Sequence, residues 1–189
     1  MTVRRLGLFG GTFDPPHFGH VAALRAAAAT GRFEIIEVTV AGNPYQKIAS
    51  GLVRPASLRL AMAQAAFDEL ELVEVSDREI RREGPSYTVD TVRELLETYD
   101  EVDVIVGADL VEQIDSWHEA EILRQLVCVG VVPRPGGSGR ASKGWQAYDI
   151  AMEPVDLSSS FIREIADNPE NLRKFVPESV IPLYKSFQG

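Results

Sequence analysis

The chain has 189 residues, 45% of them hydrophobic and 25% charged, with a formal net charge of −9. That length and composition suit one globular domain with its own core, and the acidic balance argues against a general nucleic-acid surface, which would be basic. The single cysteine, Cys128, excludes an internal disulfide, and no apolar run approaches the roughly 18 residues of a membrane span. The opening Met-Thr-Val-Arg-Arg carries no signal-peptide pattern, so a cytoplasmic protein is expected, with no nucleic-acid or membrane partner.

A short apolar run, Leu6–Phe9, reads as the first strand. It leads into Gly10-Gly11-Thr12-Phe13-Asp14-Pro15-Pro16-His17-Phe18-Gly19-His20 and then an alanine-rich segment, Val21–Ala29. That is strand, tight loop, helix. Gly10 and Gly11 let the backbone bend where a Cβ would clash. Asp14-Pro15-Pro16 sets an extended turn, because each proline fixes its own φ and restricts its predecessor. His17 and His20 stand three apart, which across a first helical turn puts both imidazoles on one face. They lie beside the exposed N–H groups of a helix N-terminus, which attract anions. Two imidazoles there can donate to phosphate oxygens, or carry positive charge beside them. The stretch reads as a phosphate clamp. It lacks the Gly-Lys-Ser/Thr ending of a Walker loop and the glycine spacing of the dinucleotide fingerprint.

Further β-branched runs follow at Phe33–Val40, Leu70–Val75, Val102–Val106, Leu126–Val132 and Tyr148–Met152. Helical spacing lies between them, at Leu58, Met62, Ala65 and Ala66, then at Val89, Val92, Leu95 and Leu96. Strands alternating with helices, and nearly continuous in their apolar runs, predict a doubly wound, Rossmann-like parallel α/β sheet with helices on both faces. One domain over 1–189 is expected, its C-terminal part helical from about 158. Ligands of such sheets bind beyond the carboxyl ends of the strands, where Gly10–His20 lies. Cys128 reads as a core thiol. Pro133–Gly144 reads as a solvated loop, although its two arginines and one lysine could approach an anion.

Four other stretches carry chemistry. Gly42-Asn43-Pro44-Tyr45-Gln46-Lys47 follows the second strand, with Lys47 suited to a phosphate and Asn43 to a substrate. Gly84-Pro85-Ser86-Tyr87-Thr88 is a turn and helix cap. Val106-Gly107-Ala108-Asp109 ends the fourth strand, with Trp117 eight residues on; a Trp more often packs a core, and His118 reads as a surface residue. Leu157-Ser158-Ser159-Ser160-Phe161-Ile162-Arg163 caps a helix expected over Phe161–Ala166. Its hydroxyls, helix N–H groups and Arg163 also suit a second phosphate site.

Gly11–His20 resembles the Gly-x-Phe-Asp-Pro-x-His-x-Gly-His signature of the nucleotidyltransferase superfamily, relatives of class I aminoacyl-tRNA synthetases. Leu157–Arg163 resembles its Ile-Ser-Ser-Thr-x-Ile-Arg motif, with Leu157 for Ile and Ser160 for Thr. Gly84–Thr88 and the Gly107-Ala108-Asp109 to Trp117 pattern look like segments of the pyridine-nucleotide adenylyltransferases, above all the bacterial nicotinate-nucleotide branch. Asn43, Pro44 and Lys47 match an Asn-Pro-Pro-His-Lys segment, from which Tyr45 and Gln46 depart. Arg59 matches a family arginine and reads as structural, and 176–184 looks like the family's C-terminal helix.

The resemblance implies adenylyl transfer from ATP to nicotinate mononucleotide, giving deamido-NAD and pyrophosphate, with Mg²⁺ held mainly by phosphates and water. It implies His17, His20 and Arg163 as catalytic residues. Gly10, Gly11, Thr12, Phe13, Gly107, Asp109, Ser159 and Ser160 would join those three around ATP. Thr12, Asn43, Lys47, Ser86, Tyr87, Thr88 and Trp117 would hold the mononucleotide, the indole stacked on the pyridine ring. The alternatives are a nicotinamide-mononucleotide or pantetheine-phosphate adenylyltransferase, or a non-catalytic nucleotide sensor. Acid against amide preference and a homo-oligomeric state stay open in the sequence.

Overall fold

The apolar runs form six strands: β1 (Arg5–Gly11), β2 (Ile35–Val40), β3 (Val73–Ser76), β4 (Glu101–Gly107), β5 (Val127–Val132) and β6 (Ala147–Asp149). In the computed structural model they make one sheet in the order β3-β2-β1-β4-β5-β6, every neighbouring pair parallel. The structure describes residues 3–44, 53–136, 139, 141, 143–165 and 169–186. The helices are α1 (Phe18–Ala29), α2 (Ala56–Phe67), α3 (Arg78–Arg81), α4 (Thr88–Leu95), α5 (Ala108–Val111), α6 (Ala120–Leu126), α7 (Ser159–Ile165), α8 (Pro169–Leu172) and α9 (Val180–Ser186). None of the described helices is long and apolar enough to cross a membrane.

The central strands are apolar on both faces because both faces are covered. Leu6 and Leu8 share one core with Val92, Val104, Leu123 and Val129. Phe9 packs on the other face with Leu24, Ile36, Val38 and Phe67. Burying one such side chain stabilises the fold by roughly 1.5–3 kcal/mol. A third cluster docks the C-terminal helices on α2, through Met62, Ile162, Leu172, Val180, Ile181 and Tyr184.

Several boundaries differ from the sequence reading. β3 starts at Val73 rather than Leu70, because Leu72 takes a left-handed φ of 61° and turns the chain just before it. β6 is only three residues long, ending at Asp149 rather than Met152, and it pairs on one side alone. α7 starts two residues early, because Ser158 is its cap: the Ser158 Oγ accepts the Phe161 N–H at 3.1 Å. α3, α5, α6 and α8 carry no periodic signal, since each has seven residues or fewer.

The chain leaves β1 in one direction, to β2 and β3, and later returns to the other side, at β4. Strand order therefore reverses between β1 and β4. At such a switch point the connections depart to opposite sides and leave a crevice beyond the strand ends. Gly10–Phe13 and Gly107–Asp109 lie at those two ends.

Candidate active site

A cavity of about 390 Å³ occupies that crevice. Gly10, Gly11, Thr12 and Phe13 line it from β1, with His17 and His20 from the start of α1. Gly107 lines it from the end of β4 and Asp109 from α5, Ser86 from the turn before α4 and Thr88 from the first residue of α4, and Trp117 from the turn after α5. Ser158, Ser159 and Ser160 close it from the start of α7.

His17 is the N-cap of α1 and is 2% exposed, whereas His20 is half-buried in the first turn. Their rings stack 3.7 Å apart at 27°, so the pair does share one face. The His20 Nδ1 accepts the His17 backbone N–H at 3.1 Å. An accepting Nδ1 carries no proton, so Nε2 holds the hydrogen and is a donor. Gly19 is small for a reason that the spacing does not reveal. A Cβ there would stand 2.9 Å from the His17 Nδ1.

The loop that carries these groups is held from behind. Phe13 takes a left-handed φ of 52°, and its ring fills the space where a Gly11 side chain would be, 2.8 Å from an added Cβ. Asp14 is buried against Arg54, with the carboxylate accepting the Arg54 side chain at 3.0 Å and its backbone N–H at 3.1 Å. The Arg54 guanidinium also lies 3.9 Å over the Tyr184 ring of α9. Arg59 is 1% exposed and donates to three backbone carbonyls: Arg54 at 2.9 Å, Thr12 at 2.9 Å and Gly42 at 3.4 Å. Burial pushes its pKa down, and the nearby Asp14 charge opposes that shift. Arg59 is structural, as the sequence reading held, and it binds three loops at once.

The serine turn is a helix cap, as one reading of it held, and it lines the cavity. Ser158 caps α7, the Ser159 hydroxyl donates to the Pro15 carbonyl at 2.9 Å, and Ser160 accepts from Arg163 at 3.1 Å. Arg163 also donates to the Asp14 carbonyl at 2.8 Å. Its side chain therefore braces the clamp loop beside the cavity rather than lining the wall.

On the opposite wall, Asn43 and Ser86 exchange two bonds of 3.2 Å, one from each backbone N–H, tying the loop after β2 to the turn before α4. Pro44 lines the cavity. Lys47, with Tyr45 and Gln46, lies outside the described residues. Tyr87 caps α4 and stacks on His118 at 3.9 Å and 18°. Trp117 is partly buried against the core and lines the cavity as well.

Two cavity residues, Glu79 and His118, were not read from the sequence as part of the site, and a third, Arg134, was given there only as an alternative to a solvated loop. Glu79 of α3 is 8% exposed, and burial raises its pKa. Its carboxylate accepts the Thr91 hydroxyl at 2.7 Å. Nothing in the spacing of a four-residue helix marks it. Arg134 belongs to the stretch read as a solvated loop, yet it lines the cavity, stands 3.7 Å from Asp109 and donates to the Val155 carbonyl at 3.4 Å. The Pro133-Arg134-Pro135 setting was the available signal, because flanking prolines hold an extended segment stiff. His118 is exposed, as read, but its ring also lines the cavity.

Chemically, one end offers imidazole, hydroxyl and backbone donors suited to phosphates. The other offers an indole, an imidazole and small hydroxyls suited to a flat polar ring. Among the described residues no group of three or more His, Cys, Asp or Glu is arranged to hold a metal.

The cytidylyltransferase-like family matches residues 8–165. A protein named "Probable nicotinate-nucleotide adenylyltransferase" from Shouchella clausii is 36% identical over 183 residues, covering 96% of this chain and 94% of that one. A relative of the same name from Albidiferax ferrireducens is 40% identical over 143 residues, covering 75% and 71%. In fold, the chain resembles Plasmodium falciparum nicotinic acid mononucleotide adenylyltransferase complexed with NaAD, with a TM-score of 0.79 at 19% identity over 97% of this chain and 95% of that one.

Proposed function

The chain belongs to the cytidylyltransferase-like family and, within it, to the nicotinate-nucleotide adenylyltransferases, and from that premise we propose that it transfers the adenylyl group of ATP to nicotinate mononucleotide. The products are deamido-NAD and pyrophosphate. The observation that carries the reading is a single cavity with the stacked His17–His20 pair at one end and Trp117 with the Ser86–Thr88 turn at the other.

The mononucleotide phosphate is already a competent nucleophile. Its oxygen attacks the α-phosphorus of ATP, a new P–O bond forms, and the bond to the β-phosphate breaks with its electron pair leaving on pyrophosphate. No side chain need be activated, so the protein's contribution is position and charge stabilisation. The His20 Nε2–H would donate to phosphate oxygens as negative charge builds. Ser159 and Ser160 hydroxyls would hold the β and γ phosphates, and Arg163, braced on the Asp14 carbonyl, would supply a full positive charge beside them. Gly10, Gly11, Thr12 and Phe13 would present the loop backbone to the nucleotides. Asp109 would meet a ribose, and Asn43, Lys47, Ser86, Tyr87, Thr88 and Trp117 the mononucleotide. Mg²⁺ would enter as part of the substrate, chelated by ATP phosphates and water, which suits a cavity where, among the described residues, no group of three or more His, Cys, Asp or Glu is arranged to hold a metal.

The test is pyrophosphate release with ATP and Mg²⁺, run with nicotinate mononucleotide, nicotinamide mononucleotide and phosphopantetheine in parallel. Fastest turnover with nicotinate mononucleotide is expected. Turnover with phosphopantetheine alone, or none in a folded protein that binds ATP, would overturn the assignment.

A further inference from the structure

The cavity wall holds a carboxyl group that none of the steps above uses. Glu79 lines it from α3 and is 8% exposed. The helix that carries it has four residues and is held by charge on two sides. Arg78 grips Glu37 of β2 at 2.6 Å and 2.9 Å, and Glu94 of α4 at 3.0 Å. Arg82 meets the same Glu94 at 2.8 Å. The contacts that pin α3 between β2 and α4 thus use carboxylates other than Glu79, which is left to the wall. The α3 backbone is also a stop for the chain leaving β2: a Cβ at Gly42 would collide with the Glu79 carbonyl.

The carboxyl collects hydroxyls from two neighbouring segments. Its Oε1 accepts the Thr91 hydroxyl at 2.7 Å, and the Thr91 oxygen in turn accepts from Arg82 at 3.1 Å, which fixes the direction of that bond. Glu79 also accepts the Ser86 hydroxyl, while the Ser86 Oγ accepts the Asn43 backbone N–H at 3.2 Å. A hydroxyl has one hydrogen, so giving it to Glu79 turns the Ser86 lone pairs toward Asn43. The relay joins α4, α3 and the loop after β2. We infer that Glu79 is a positioning residue for the mononucleotide: it orients the Ser86 hydroxyl and so holds the Asn43–Ser86 wall in its binding geometry. The inference rests on the adenylyl-transfer reading of the cavity. Thr91 offers a way to test it without touching the wall, because it is 0% exposed and lies behind the lining residues.

The experiment measures kcat and the KM of each substrate by pyrophosphate release, in the wild type, Glu79→Ala, Glu79→Gln and Thr91→Val. Glu79→Ala is expected to raise the KM for nicotinate mononucleotide about tenfold, the scale of one lost hydrogen bond, with kcat and the KM for ATP within about twofold of wild type. Glu79→Gln keeps an oxygen for a hydroxyl and should recover most of that loss. Thr91→Val frees the carboxyl from its anchor and should raise the same KM about threefold; it decides the matter if Glu79→Ala does not fold. In a Ser86→Ala background, Glu79→Ala should add less than about twofold, because the group it acts through is already gone. An unchanged mononucleotide KM in Glu79→Ala or Thr91→Val, equal losses for both substrates, or Glu79→Ala and Ser86→Ala effects that multiply would overturn this inference. An active wild type would leave the adenylyl-transfer reading standing in each case. A wild type silent with nicotinate mononucleotide would overturn both.

Discussion

The His20 Nδ1 accepts the His17 backbone N–H at 3.1 Å, while the two rings stack 3.7 Å apart. The backbone thus selects the tautomer of His20 and leaves Nε2–H as its donor. Losing one preorganised donor to developing phosphate charge costs about 10²–10³ in kcat. His20→Ala is therefore expected to lower pyrophosphate release by that factor while circular dichroism and melting stay near wild type, because the residue is only half-buried. A folded His20→Ala protein with wild-type turnover would remove His20 from the chemistry.

Two glycines in the site should answer differently to the same substitution. A Cβ at Gly19 meets the buried His17 ring at 2.9 Å and 3.0 Å, and that ring is held in place by its stack on His20. Gly19→Ala should lower stability by about 1–3 kcal/mol despite the better helix propensity of alanine, and turnover should fall with it. At Gly107 the added Cβ meets the Asp109 Oδ1 at 2.5 Å, but the Asp109 side chain is 56% exposed and can rotate away. Gly107→Ala should leave melting almost unchanged and raise the KM for ATP. Thermal denaturation and ATP titration on both variants separate the two outcomes.

Arg59 binds the carbonyls of Arg54, Thr12 and Gly42 from a fully buried position. Lysine keeps the charge but cannot spread three donors across a planar fork. Arg59→Lys should lose about 3 kcal/mol of unfolding free energy, from carbonyls left without donors and a charge left poorly solvated. Urea denaturation measures this directly; a loss below about 0.5 kcal/mol, the range of ordinary surface substitutions, would show that the three loops do not depend on it.

Glu79 gives a pH signature. Burial raises its pKa above the ordinary 4.5, against the lowering effect of the Thr91 and Ser86 hydrogen bonds and of Arg82. The folded protein then holds a proton that the unfolded chain has released, so this group's contribution is present in acid and is lost as pH rises from 4.5 through the raised value. Glu79→Gln removes that titration and keeps an oxygen for the Thr91 hydroxyl. Its stability relative to wild type should improve as pH rises from 4 to 7, read by denaturant midpoints across that interval. A difference that stays constant with pH would mean the carboxyl titrates alike in both states.

Much of the fold is legible in the chain because the sheet is buried on both faces. Leu6–Phe9, Val102–Val106 and Leu126–Val132 read as strands since their apolar residues pack on both faces of the sheet. The clamp is legible for a different reason: Gly11, Asp14, His17, Gly19 and His20 lie within ten consecutive residues, so local geometry alone brings them together.

Other relationships join distant parts of the chain, and no local pattern encodes them. Asp14 meets Arg163 across 149 positions, Asn43 meets Ser86 across 43, and Asp109 meets Arg134 only because β4 and β5 are neighbours. Periodicity reports which face of an element is buried, not which other element covers it. The sequence by itself therefore determined the alternation of strands and helices, the Gly10–His20 turn between β1 and α1, and the family. The tertiary structure decided which His20 nitrogen accepts the His17 N–H, that Arg59 holds three loops together, and that Glu79, His118 and Arg134 share the cavity. Those depend on contacts that exist only once a parallel sheet has set its strand ends side by side.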